Sequence, residues 1–205
     1  MMRGWLPRGW ATKIPAPIIE PMSGNHPRRG LTLHNEGVDR DCRKGHVIDL
    51  AHYTNHRRIN YTAIWCPICG QWAQTAPLHK AARSMVGGAV WKNASANKTG
   101  AVHVQICVAG FGSRDFTGSP LKGAWVLAEI MDRADIPWRA RKTWGPTANR
   151  DIEAWMRGGV QGHQHGPRDD HTDPGRIDVA HLFRVARRQQ RRRRDANGRG
   201  ALSRG

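Results

Sequence analysis

Residues 162–175 read Gly-His-Gln-His-Gly-Pro-Arg-Asp-Asp-His-Thr-Asp-Pro-Gly, which sets three histidines and three aspartates in one Gly/Pro-shaped stretch. Imidazole nitrogen and carboxylate oxygen are the donors zinc takes when three protein ligands hold it and a fourth position stays open to water. A cation held that way lowers the pKa of water from ~15.7 toward ~7 and polarises a carbonyl, which is the chemistry of a hydrolase. Two ligands from one loop are not enough, so a third has to come from elsewhere in the fold. His34 closes the short apolar run Gly30-Leu31-Thr32-Leu33 and stands before a polar stretch, which makes it the best-placed candidate. The chain has 11 histidines, and on composition alone a His-rich loop is more often a solvated surface feature than a metal site.

The four cysteines offer a second chemistry. Cys66-Pro67-Ile68-Cys69 has the spacing of a zinc knuckle, but a structural site needs a second ligand pair, and neither Cys42 nor Cys107 belongs to one in the sequence. Four scattered cysteines are too few for a disulfide framework. The expectation is therefore a hairpin turn with two reduced thiols, with Cys107 as a small core residue.

Elements must position these groups. Gly30–His34 reads as a strand ending at the histidine, and Val47–Arg58 as a helix with Val47, Leu50, Ala51 and Thr54 on one face and Arg57 and Arg58 in its last turn. Tyr61–Cys66 and Gln71–Thr75 form two strands of a hairpin turning through Pro67 and Gly70. Ala101–Ala109 is apolar at nearly every position after Val104, as in a central strand. Ser119-Pro120 reads as the cap and first turn of a helix running to Ala134. Trp138–Lys142 reads as a short strand, Ile152–Met156 as one or two helical turns, and Asp173-Pro174-Gly175 as the opening of a last helix. Alternating strands and helices predict an α/β fold, a central mixed β-sheet with helices packed on its faces. Residues 1–29, with five prolines and no period, read as an irregular arm, and 188–205 as a solvated, frayed Arg-rich tail, leaving 30–187 as the main domain.

The chain has 205 residues, with 33 Lys and Arg against 16 Asp and Glu, a formal charge of +17. Arg184–Gly205 alone holds nine arginines and one aspartate. Such a balance predicts salt-sensitive attraction to a polyanion. No run approaches the ~18 apolar residues of a membrane span, and the first residues lack the apolar core of a secretory signal. Collagenous, coiled-coil and wholly disordered classes are excluded by the short apolar blocks between Gly, Pro and Asn.

Together these features resemble the zinc-dependent N-acetylmuramoyl-L-alanine amidases, whose fold is shared with peptidoglycan-recognition proteins and many phage endolysins. The resemblance rests on the strand ending at His34, the helix and hairpin through Tyr61–Thr75, the Ala81–Ser84 segment, the strand through Ile106-Cys107-Val108, and the closing Gly162-His163 and His171-Thr172-Asp173-Pro174-Gly175. It spans about Gly30 to Arg187 and implies a single amidase domain. It further implies zinc held by His34, His163 and Asp173, with His165 a neighbour that is not required. Many members carry Glu where Cys107 stands here. Compact phage amidases with Cys there rely on a Tyr, which would be Tyr61. His171 fills the slot, two residues before the acidic ligand, where the family often has Lys. Tyr61 and His171 are then the expected catalytic donors. Each assignment has a plainer competitor: a half-buried strand aromatic for Tyr61, a helix cap for Asp173, a solvated loop residue for His171.

The resemblance implies a peptidoglycan substrate, with anionic wall polymers as partners of the basic surface and tail. The expected setting is a monomeric endolysin that waits in the host cytoplasm without a signal peptide and then reaches the cell wall. Two alternatives remain at this point. One is a non-catalytic peptidoglycan-binding protein of the same fold. The other is a basic nucleic-acid-binding protein using Cys66/Cys69 zinc and the Arg tail. Trp91, Trp125, Trp144 and Trp155 are core or rim candidates.

Overall fold

In the computed structural model the described residues are 4–17, 28–36, 42, 46–80, 82–85, 102–112, 114–145, 150–167 and 170–202. Ala81, Trp91, Ala101 and Asp169 lie outside them. The short apolar blocks become strands β1 (Thr12–Lys13), β2 (Arg28–Glu36), β3 (Ala63–Trp65), β4 (Trp72–Gln74), β5 (Val102–Ala109) and β6 (Gly159–Gly162). They form one sheet in the order β1-β4-β3-β5-β2-β6, parallel except for the β3/β4 hairpin. Helices α1 (His46–His56), α2 (Ala124–Arg133), α3 (Ile152–Met156) and α4 (Val179–Leu202) complete a single mixed α/β domain.

Alternation along the two long strands sorts chemistry from core. Successive strand residues point to opposite faces. Leu31 and Leu33 of β2 with Val104, Ile106 and Val108 of β5 join Leu127, Ile130 and Met131 of α2 and Leu182 and Val185 of α4 in the main core. Thr32, His34, Gln105 and Cys107 are buried polar or thiol residues at the alternate positions, and Cys107 packs with Val47, Leu50 and Ala51 of α1. One face of the sheet is thus ordinary core, while the other carries the functional groups, with His34 paired to Cys107 in the parallel register.

Several elements begin elsewhere than expected. The helix foreseen from Ser119-Pro120 starts at Ala124, because Leu121 and Gly123 take left-handed backbones (φ 49° and 73°). That detour lets the carbonyls of Lys122 and Gly123 accept the indole N–H groups of Trp65 and Trp72 at 2.9 and 3.0 Å. A Cβ on Gly123 would meet the Gly70 carbonyl oxygen at 2.7 Å, so the residue there has to be glycine. Trp138–Lys142 contributes only an isolated bridge, Ala140 with Val160, and β6 is an edge strand with no counterpart in the sequence reading. The last helix starts at Val179, with Asp178 Oδ1 accepting the His181 N–H at 2.8 Å, so Asp178 rather than Asp173 serves that end.

The arm and tail are more ordered than their composition suggests. Leu6, Ile14 and Ala16 are buried, and β1 extends the sheet beside β4, with Leu6 N–H donating to Gln74 Oε1 at 2.7 Å. The boundary drawn at 187/188 falls inside α4. Gln190 Nε2 donates to Glu129 and Asp132 at 2.9 Å each, and Arg194 pairs with both carboxylates. The Arg193 guanidinium lies 3.9 Å from the Trp125 ring centroid. Repeated arginines obscured that every third or fourth residue of the run, Leu182, Val185, Ala186 and Gln190, faces α2. Among the described residues no helix is long and apolar enough to cross a membrane.

Candidate metal centre

Strand β2 and the segment after β6 deliver three donors to one point. One ligand atom from each of His34, His163 and Asp173 lies within 4.8 Å of the others. Asp173 Oδ1 is 3.1 Å from His163 Nδ1, and Oδ2 is 3.6 Å from His34 Nδ1. His34 and His163 are nearly buried, whereas the Asp173 side chain keeps 18% of its surface exposed, so the cluster opens to solvent on one side.

The local backbone explains the convergence. His163 opens a 3-10 turn, His163–His165, directly after β6. The Asp173 segment folds back on that turn: Gln164 N–H donates to Asp173 O at 2.8 Å, Gln164 Nε2 to Gly175 O at 2.8 Å, and Asn35 Nδ2 to Pro174 O at 3.2 Å. A Cβ on Gly162 would come within 2.5 Å of Pro174 Cδ, so this return depends on the strand ending in glycine. The Asn35 backbone N–H also donates to Asp173 Oδ2 at 3.3 Å, tying the acid to the strand that carries His34.

Charge and tautomer suit a cation. His34 Nε2 donates to Gln105 Oε1 at 2.6 Å, which leaves the Nδ1 lone pair facing Asp173. Burial, reinforced by the neighbouring His163, drives the His34 imidazole down to about 4, so it is neutral at pH 7. Burial works to raise Asp173, but the hydrogen bond from His163 and the two nearby imidazoles outweigh it and hold the carboxyl below its ordinary value. Two imidazoles, that of His34 neutral, and an ionised carboxylate form a donor set that fits zinc.

Around this trio the other expected residues separate. His171 stacks on His163 with ring centroids 4.0 Å apart and is 58% exposed, so it covers the solvent side of the ligand. Tyr61 is buried with its ring 5.1 Å from that of His34, and its hydroxyl donates to Glu36 Oε1 at 2.6 Å. Burial, with Cys107 and Glu36 beside it, pushes the phenol well above its usual pKa and keeps it a proton donor. Cys107 is fully buried, and burial with the charges of Glu36 and Asp173 holds its thiol protonated. Glu36 and Gln105 had no place in the sequence reading. The available signal was the strand period: Glu36 lies two residues after His34 on the same face, and Gln105 two before Cys107. Trp144 packs edge-on against His165 at 4.6 Å, while Trp155 stacks on His103 in the core.

His165 has a structural part. Its Nδ1 accepts the Gly162 N–H at 2.9 Å and its Nε2 donates to Thr143 O at 2.7 Å, bracing the turn that presents His163. His165→Ala is expected to destabilise the chain by about 2–4 kcal/mol through two lost hydrogen bonds and a cavity. Thermal unfolding reads the loss, and metal content at the three-donor site reads as unchanged. Depletion of the metal would mean that His165 is a ligand.

No family model and no curated protein matches the chain. Its fold matches the crystal structure of a selenomethionine derivative of AmpD with a TM-score of 0.59, at 16% identity, covering 89% of this chain and 97% of that one. The solution structure of Citrobacter freundii AmpD aligns with a TM-score of 0.42 at 18% identity over 83% of this chain and 88% of that one.

Proposed function

We propose that this chain is a zinc-dependent peptidoglycan amidase, hydrolysing the amide between the lactyl group of N-acetylmuramic acid and L-alanine. The observation that carries this reading is the meeting of His34, His163 and Asp173 at the solvent-open end of β2. The shared fold with AmpD, an N-acetylmuramoyl-L-alanine amidase, and the resemblance of the closing motif support it. Retention of all three donors argues for catalysis over mere peptidoglycan binding.

His34, His163 and Asp173 would hold the zinc, which when bound supplies Lewis acidity, polarising the scissile carbonyl and making water a nucleophile near neutral pH. Gln105 fixes the His34 tautomer, and Asn35 orients Asp173. Glu36, two residues beyond His34 on β2 and held at Oε1 by the Tyr61 hydroxyl, would take the proton of the attacking water. That carboxylate comes from β2 and answers the absence of Glu at position 107. His171, exposed beside His163, donates to the oxyanion or passes a proton to the leaving amine.

The endolysin setting belongs to the same proposal. Arg191 and Arg192 are exposed on an α4 that is itself anchored on α2, a cationic ridge suited to anionic wall polymers. The test is digestion of purified cell walls by the full chain, read as newly released L-alanine amino termini. Activity is expected to vanish on chelation and return with zinc. Walls left intact by the zinc-loaded protein, or cleavage that yields reducing sugars instead of amino termini, would overturn the reading.

A further inference from the structure

On the α1 side of the sheet stands a second donor set. The hairpin turn with the Cys66-Pro67-Ile68-Cys69 knuckle does not stand alone, because Cys42 and His46, separated by three residues in the sequence, lie against it. One ligand atom from each of Cys42, His46, Cys66 and Cys69 lies within 4.8 Å of all the others. Cys66 Sγ is 3.6 Å from Cys42 Sγ, and all four cysteines of the chain are free thiols. Cys42 and His46 thus supply the ligand pair that the sequence reading found missing. It was missed because a Cys and a His with three residues between them do not form a second Cys-x2-Cys.

We propose that Cys42, His46, Cys66 and Cys69 bind a structural zinc ion, distinct from the centre at His34, His163 and Asp173. The hairpin is shaped for it. Cys66 N–H donates to Gln71 O at 3.0 Å and Gly70 N–H to Cys66 O at 2.8 Å, while Gly70, at φ 82°, closes a turn that returns Cys69 toward Cys66. The backbone N–H groups of Cys69 and Ile68 face the Cys66 sulfur across the turn. His46 is buried at the first turn of α1. Three sulfurs and an imidazole are soft donors that select zinc over magnesium or calcium. Four protein ligands fill a tetrahedron and leave no position for water, which marks a structural site and not a reactive one. Its effect is to staple three pieces together: Cys42 from the connection after β2, the start of α1, and the β3/β4 hairpin.

Metal stoichiometry and spectroscopy on the reduced full chain test this. The expected result is a second equivalent of zinc per chain, expelled when an organomercurial blocks the thiols and detected with a chromogenic chelator. Cobalt-loaded protein is expected to show thiolate-to-cobalt charge transfer in the near ultraviolet. That band should survive His163→Ala, which empties only the other site, and vanish in the Cys66→Ser/Cys69→Ser variant. If that variant fails to fold, the organomercurial and cobalt readouts on the unmodified chain still decide. Zinc that thiol blocking does not displace, no charge-transfer band, or an intact mass lowered by two hydrogens from a Cys42–Cys66 disulfide would each overturn the proposal. None of these readouts depends on wall digestion, so the amidase reading can fail without touching this one.

Discussion

Asp173→Ala and His163→Ala are each expected to lower amidase turnover at least ~10³-fold, a loss of about 4 kcal/mol of transition-state stabilisation, with the fold retained. The size follows from the donor count. Three protein ligands leave an open position, and removing one leaves two, too few to hold the cation against water. Asp173 supplies the only carboxylate of the three-donor cluster, and its loss also removes the acceptor of the Asn35 backbone N–H. Fold retention is expected because the turn stays braced by Gln164 and His165, whose hydrogen bonds do not pass through the Asp173 side chain. Circular dichroism and thermal unfolding check the fold, metal analysis checks the site, and release of L-alanine amino termini checks turnover. Unchanged release by either variant would refute the assignment of these residues as ligands.

How much of this was legible in the sequence depended on whether the signal was local. His34 could be singled out because it ends a recognisable strand, whereas His163 and Asp173 were named through the resemblance of the closing Gly162-His163 and His171–Gly175 motif to the zinc amidases. Their meeting, however, is a property of β2 lying between β5 and β6, and β6, Gly159–Gly162, has too little apolar character to read as a strand. Glu36 was hidden for a different reason. The strand had been ended at His34, whereas pairing with β5 continues to Glu36 opposite Ala109 and carries the period two residues further. The helical course of the arginine segment was hidden because charge dominates its composition, while the packing of Gln190 and Ala186 on α2 depends on a partner helix sixty residues away in the chain.

Glu36→Gln is expected to lower turnover by ~10²–10⁴ while leaving zinc content unchanged, because a carboxamide keeps the shape and a hydrogen-bond acceptor but cannot take a proton. Tyr61→Phe should have a smaller effect if the phenol acts through Glu36. The geometry favours that order, since the hydroxyl hydrogen is committed to Glu36 Oε1 at 2.6 Å and the ring is buried between His34 and the α1 side of the sheet. The double variant separates a positioning role from a direct one. When one residue works only through another, removing it after its partner costs nothing further, so Glu36→Gln/Tyr61→Phe should be no slower than Glu36→Gln alone. Multiplying losses in the double variant would instead make the Tyr61 hydroxyl a donor to the substrate in its own right, with Glu36 as its anchor.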